Sequence, residues 1–217
     1  DDGRSKNAVR IAMRGGLQHI VAMLNFDFRE SETYIPLVTL CVGLLFGMIS
    51  QHQDIQIVVE QMCIGGALLR AIFHPLSTPY LKVLASGLIF QLTQGGGEGF
   101  VNDLKEKRGM WILEDIYSSM LCEDQSELQV VGLFCVTSLA MKVPSKVALG
   151  KRNCIEGIVK IMENLKVPEE VFLKCLHALL NLSTHPSNQC DVCRRTLKLL
   201  LRVVGSPRSR LVREAAL

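Results

Sequence analysis

The stretch from Pro168 to Pro207, PEEVFLKCLHALLNLSTHPSNQCDVCRRTLKLLLRVVGSP, constrains the fold more than any other part of the chain. Pro168 opens an apolar helix that ends in Leu180-Asn181-Leu182-Ser183. A short polar break follows, and a second apolar helix stops at Gly205-Ser206-Pro207. Proline suits the start of a helix and glycine its end, so the punctuation fits the periodicity between. The same plan recurs upstream. The long helices close at Met48, Leu92, Leu139 and Leu182, roughly 43 to 47 residues apart. The second helices start at Gly16, Gly66, Gly109, Cys154 and Arg195, roughly 41 to 50 apart. Each repeat has apolar faces that it cannot bury alone, and stacking neighbours makes one continuous core.

Composition agrees with packed helices. Apolar residues make up 48% of the 217, but aromatics only 6%, so Leu, Val, Ile, Ala and Met carry the hydrophobicity. A net charge of +3 is too small for bulk electrostatics to argue for nucleic acid or a membrane surface. The cysteines mostly sit in apolar helical runs and read as small buried hydrophobes, which favours a reducing compartment, cytoplasm or nucleus. No secretory signal is visible. The chain starts DDGRSK and stops at Leu217 in mid-pattern, so a fragment cut inside repeats at both ends is expected. The longest uncharged stretch, Thr33 to Gln53, is strongly apolar only from Ile35 to Ile49. That is short of the roughly 20 residues a bilayer needs, so a fully buried helix is expected there.

A repeat of about 40 to 47 residues with two or three helices is the mark of armadillo and HEAT solenoids. NAVRIAMRGGLQHIVAML resembles the armadillo pattern of a short helix, a glycine pair and a helix of the form Leu-x-x-Ile-Val-x-x-Leu. QMCIGGALLRAIF and EKRGMWILEDIY repeat it more loosely, and HALLNLSTHPSNQCDVCRRTLKLLL resembles the matching part of a late repeat. The resemblance covers essentially the whole chain. It implies an all-α, right-handed solenoid of armadillo-like (or HEAT-like) repeats. One solenoid over 1–217 is expected, with full repeats near 31–76, 77–122, 123–167 and 168–206 and partial ones at 1–30 and 207–217.

In armadillo proteins that grip extended peptides, an Asn recurs near the end of the long helix with a Trp one turn earlier. The equivalent places here hold Gly47, Gln91, Ser138 and Asn181, and one turn earlier Gly43, Gly87, Phe134 and His177. The array is missing, and Trp111 lies on a different helix, so nuclear-import cargo is not expected. Gln91, Ser138, His177 and Asn181 remain candidates to line a concave groove. The last helix of each repeat is also expected on that face, exposing Gln18, Arg70, Glu114, Lys160 and Lys198.

Other motifs carry little chemistry. Cys190-Asp191-Val192-Cys193 lacks the second pair a structural zinc site wants, and both cysteines fall in an expected linking turn. Gly95-Gly96-Gly97-Glu98-Gly99 has no preceding strand and no Lys-Ser/Thr, so neither nucleotide motif matches. His19, His52, His74, His177 and His185 stand without a nucleophile or carboxylate constellation, and His74 and His185 mark helix ends before proline. Arg194, Arg195, Lys198, Arg202, Arg208, Arg210 and Arg213 make the C-terminal end basic but lack interleaved aromatics.

The expected function is therefore a non-enzymatic protein–protein interaction scaffold or adaptor. It would bind an extended or helical peptide segment along the groove, with no catalytic residue, cofactor, metal, small-molecule substrate or membrane insertion. The alternatives are regulation of a small GTPase or other enzyme through the same surface, or nucleic-acid binding at the basic end.

Overall fold

The computed structural model describes residues 2–25, 34–94, 98–164 and 167–205, and the described residues form thirteen α-helices and no strand. Two helices lead, α1 (Asp2–Met13) and α2 (Gly16–Asn25). A long helix and two shorter ones then follow in turn: α3 (Tyr34–Ile49), α4 (Gln53–Glu60) and α5 (Gly65–Phe73); α6 (Pro79–Gln94), α7 (Glu98–Arg108) and α8 (Ile112–Cys122); α9 (Ser126–Leu139), α10 (Val143–Gly150) and α11 (Cys154–Glu163). The series closes with α12 (Glu169–Ser183) and α13 (Pro186–Val204).

The break between a short helix and the next has one device each time. A single residue takes the left-handed conformation: Gly15, Cys63, Gly109 and Asn153, at φ of 80°, 51°, 102° and 58°. One such residue reverses the backbone direction within a few positions, easily for glycine, tolerably for asparagine, and under strain for cysteine. No described residue of 186–204 does this, so α13 runs unbroken through the place where earlier repeats have two helices. That corrects two expectations. Arg195 starts no helix, and Cys190 and Cys193 lie within one rather than in a linking turn. Gly109 is likewise the turn itself, and α8 begins only at Ile112.

The helices group into two compact units, Asp1–Met110 and Trp111–Leu217, and the division falls inside the expected 77–122 repeat. In the first unit α3 packs on α2 and α6, and α6 also on α5. Val38, Cys41, Val42, Leu45 and Met48 of α3 and Leu81, Ala85, Leu88, Ile89 and Leu92 of α6 are buried. In the second unit α9 packs on α8 and α12, and α11 on α8, α12 and α13. Helix α9 comes so near α8 that a Cβ on Gly132 would lie 2.9 Å from the Met120 Cβ. A hydrogen there is what allows the two axes to close up.

Helix α3 is not fully buried, contrary to expectation: Leu40 is 61% exposed and Leu44 and Gly47 are open too. No single described helix is long and apolar enough to cross a membrane. Helices α4 and α5 have the length only together, and they meet at 89°.

Candidate functional site

The long helices are apolar on the side turned away from the core as well as on the core side. In the first unit Leu40, Leu44 and Gly47 of α3 follow one another at three and four residues, hence on one face. Gly43 lies on it too. A Cβ at Gly47 would meet nothing within 4 Å, and one at Gly43 would only touch Leu84 of α6. Tyr80, Gly87 and Gln91 give α6 a matching face. At one end Gln91 Nε2 of α6 donates to Ser50 Oγ, in the turn just after α3, at 2.9 Å, and Gln56 Nε2 of α4 donates to the Gln91 carbonyl at 3.0 Å.

In the second unit α9 and the turn after it present Val130, Phe134 and Met141, and α12 presents Lys174, His177 and Leu180. Phe134 is 53% exposed, Leu180 63% and Met141 70%. The Lys174 ammonium sits 5.9 Å from the Phe134 ring centroid, a cation–π distance. A cavity of about 230 Å³ opens there, lined by Val130, Leu133, Phe134, Glu170, Val171 and Lys174. Asn181 Nδ2 donates to the Thr137 carbonyl at 3.2 Å and reaches Met141 Sδ at 3.5 Å, tying α12 to α9. Its Oδ1 keeps its acceptor capacity.

The nine candidate residues fall on two sets of helices. Gln91 lies on α6, Ser138 on α9, and His177 and Asn181 on α12; Ser138 is half-buried and His177 exposed. Gln18, Arg70, Glu114, Lys160 and Lys198 lie instead on α2, α5, α8, α11 and α13. Glu114 is corrected outright, because it is only 5% exposed. Helix α8 is covered by α9, α10 and α11, and eight of its eleven residues are buried. Lys160 is engaged with Asp124 at 2.9 Å, which raises its pKa. The larger part of the outward face, Leu40, Leu44, Tyr80, Met141, Lys174 and Leu180, was not among the candidates. The signal was present: α3, α6 and α9 are apolar all round, so burying one side leaves another apolar side outward.

The cysteines divide evenly. Cys41, Cys135, Cys154 and Cys175 are buried, while Cys63, Cys122, Cys190 and Cys193 are exposed, against the expectation that they mostly pack inside. Burial pushes the Cys135, Cys154 and Cys175 thiols up to about 12. Among the described residues no group of three or more His, Cys, Asp or Glu is placed to hold a metal. On α13, Asp191 pairs with both Arg194 and Arg195 at 2.9 Å, and Arg195 also reaches Glu156 at 3.0 Å. The basic face of this helix is therefore partly neutralised. Arg208, Arg210 and Arg213, with the partial repeat at 207–217 and the glycines 95–97, lie outside the described residues.

No protein-family model and no curated protein matches the sequence. Solved structures do match. A computationally designed armadillo repeat protein for modular peptide recognition superposes with a TM-score of 0.74 at 13% identity, over 97% of this chain and 83% of its own. The chain has the armadillo-repeat fold. A designed armadillo repeat protein in complex with the peptide (KR)4 agrees, with a TM-score of 0.72 at 13% identity over 98% of this chain and 84% of that one. An engineered protein gives 0.71 at 14% identity over 98% and 82%. At such identities the likeness fixes the path of the backbone and leaves the surface chemistry to this chain's own residues.

Proposed function

We propose that this chain is a non-enzymatic interaction scaffold that holds an extended or helical segment of a partner protein on the outward faces of its long helices, the surface that the armadillo resemblance makes the concave groove. One observation carries the reading. Large apolar side chains stand exposed on these helices and just after α9, Leu40, Leu44 and Tyr80 in one unit and Phe134, Met141 and Leu180 in the other. Contiguous exposed apolar surface of this kind marks an interaction site. The amides of Gln91 and Asn181 brace neighbouring long helices, so the receptor surface is ordered before a ligand arrives, which lowers the entropy lost on binding. Two solved structures of this fold bear on the reading, since one was designed for modular peptide recognition and another holds a peptide. A cytoplasmic or nuclear adaptor within a larger assembly is the cellular role we infer.

The test is selection of a random-peptide display library on the whole purified chain, with the enriched peptides then titrated against variants. A peptide seated at α9 and α12 should lose tenfold or more in affinity with Phe134→Ala or Leu180→Ser, about the loss expected when a central apolar anchor of an interface is truncated. Peptides that bind both variants as tightly as the wild type would remove this face from the function.

A further inference from the structure

A second recess lies in the first unit away from the long-helix face. It is a cavity of about 500 Å³ formed by the start of α3, by α5 and the turn after it, and by the end of α7. Its described lining includes Tyr34, Arg70, Phe73, His74 and Arg108, and among the described residues no carboxylate. The volume falls within the usual range of ligand pockets, about 300 to 1,000 Å³. Three features give it a definite chemistry. Arg108 holds its guanidinium carbon 5.9 Å from the centre of the Phe73 ring, which orients a planar set of donors on an aromatic face. Arg70 is half-buried and has neither a hydrogen bond nor an ion pair among the described residues. Arg152, also half-buried, is by contrast paired with Asp115. His74 accepts the Leu76 N–H on Nδ1 at 3.1 Å, so the neutral ring carries its proton on Nε2 and has one donor left. Its ring is tilted at 5.6 Å to that of Tyr34.

A partly desolvated guanidinium without a counter-charge is an unfavourable arrangement that an incoming anion relieves. We infer that this recess is a docking site for a short acidic segment of a partner protein, which places a carboxylate side chain on Arg70 and Arg108 and a neighbouring apolar side chain against Phe73. The two cations and three rings among its described lining residues select for that pairing of acid and apolar group. The site does not use the exposed residues of the long-helix face; apart from Tyr34, at the start of α3, its lining comes from α5, the turn after it and the end of α7.

The experiment uses the whole chain and a random octapeptide display library, selected on the wild type and counter-selected on the Arg70→Gln/Arg108→Gln variant. Peptides that survive should carry Asp or Glu beside an apolar residue. Each single variant should weaken them tenfold or more, and Phe134→Ala should leave them unchanged. Arg108 is exposed, so Arg108→Gln retains the folded far-UV spectrum and keeps the test valid if Arg70→Gln unfolds. Raising the salt from low to physiological should weaken the wild-type interaction further. Three results would overturn the inference: no peptide that distinguishes the wild type from the double variant, enriched peptides without acidic residues, or binding that appears only when phosphoserine replaces the acid.

Discussion

Asn188, at the start of α13, is buried and donates through Nδ2 to the Lys146 carbonyl of α10 at 2.9 Å and to the Leu182 carbonyl of α12 at 3.1 Å. One side chain therefore fastens three helices of the second unit. Opposite it stands Gly150, where a Cβ would lie 2.0 Å from the Asn188 Oδ1 and 2.7 Å from its Cγ. A methyl group at 150 thus forces the amide off its carbonyls. Each of the two bonds is worth about 1 kcal/mol, so Asn188→Ala should destabilise by about 2 kcal/mol. Gly150→Ala loses the same bonds and recovers up to about 1 kcal/mol of helix propensity, for a net loss of about 1 kcal/mol. Once Asn188 is alanine the obstruction is gone, and Gly150→Ala should then stabilise. The double variant is expected about 1 kcal/mol below the wild type, against about 3 kcal/mol if the effects simply added, a coupling of about 2 kcal/mol. Urea unfolding followed by far-UV circular dichroism and by the single tryptophan, Trp111, measures all four proteins. Additive losses in the double variant would refute the packing described for this corner.

Three further outcomes are expected. Cys63→Gly should raise the midpoint of thermal unfolding and Gly109→Ala should lower it, each by about 1 kcal/mol in stability, because the left-handed conformation strains any residue with a Cβ; calorimetry decides. The Arg194 guanidinium, against a smaller opposing effect of burial and with help from Arg195, holds the Asp191 carboxyl below its ordinary 3.8. A lowered folded pKa contributes stability that is present above the ordinary value and lost as pH falls through the folded one, so the melting temperatures of the wild type and Asp191→Asn should converge below about pH 4. Ellman's reagent should reach Cys63, Cys122, Cys190 and Cys193 in the folded protein and Cys41, Cys135, Cys154 and Cys175 only on unfolding, since burial disfavours their thiolates.

Much of the helix order was legible because apolar runs and their punctuation lie close together in sequence. The long helices end within two residues of Met48, Leu92, Leu139 and Leu182, and two of the left-handed turns fall on glycine. The turns at Cys63 and Asn153 were less visible, because these residue types do not mark a left-handed turn as glycine does. Residue 195 looked like a helix start only by counting the period; the continuous α13 shows that without a reversing residue the chain simply stays helical. Glu114 reads as a surface residue in any one-helix pattern, but burial depends on how many neighbours a helix has, and α8 has three in its own unit. The candidate face was half legible. Polar positions such as Asn181 attracted notice, yet its amide donors are engaged by α9, and the exposed side chains beside it are the leucine and methionine that sequence patterns assign to cores.

The proposed binding face is tested most directly by photo-crosslinking from defined positions in the full protein inside its own cells. Benzoylphenylalanine would replace Leu180 or Met141 on the α9–α12 side and, as a control, Val143 at the start of α10, which is also exposed. We expect discrete adducts with the same partner segment from positions 180 and 141 and none from 143. Adducts from 143 alone, or no adduct from 180 and 141, would contradict the assignment of the long-helix face as the surface through which this chain works.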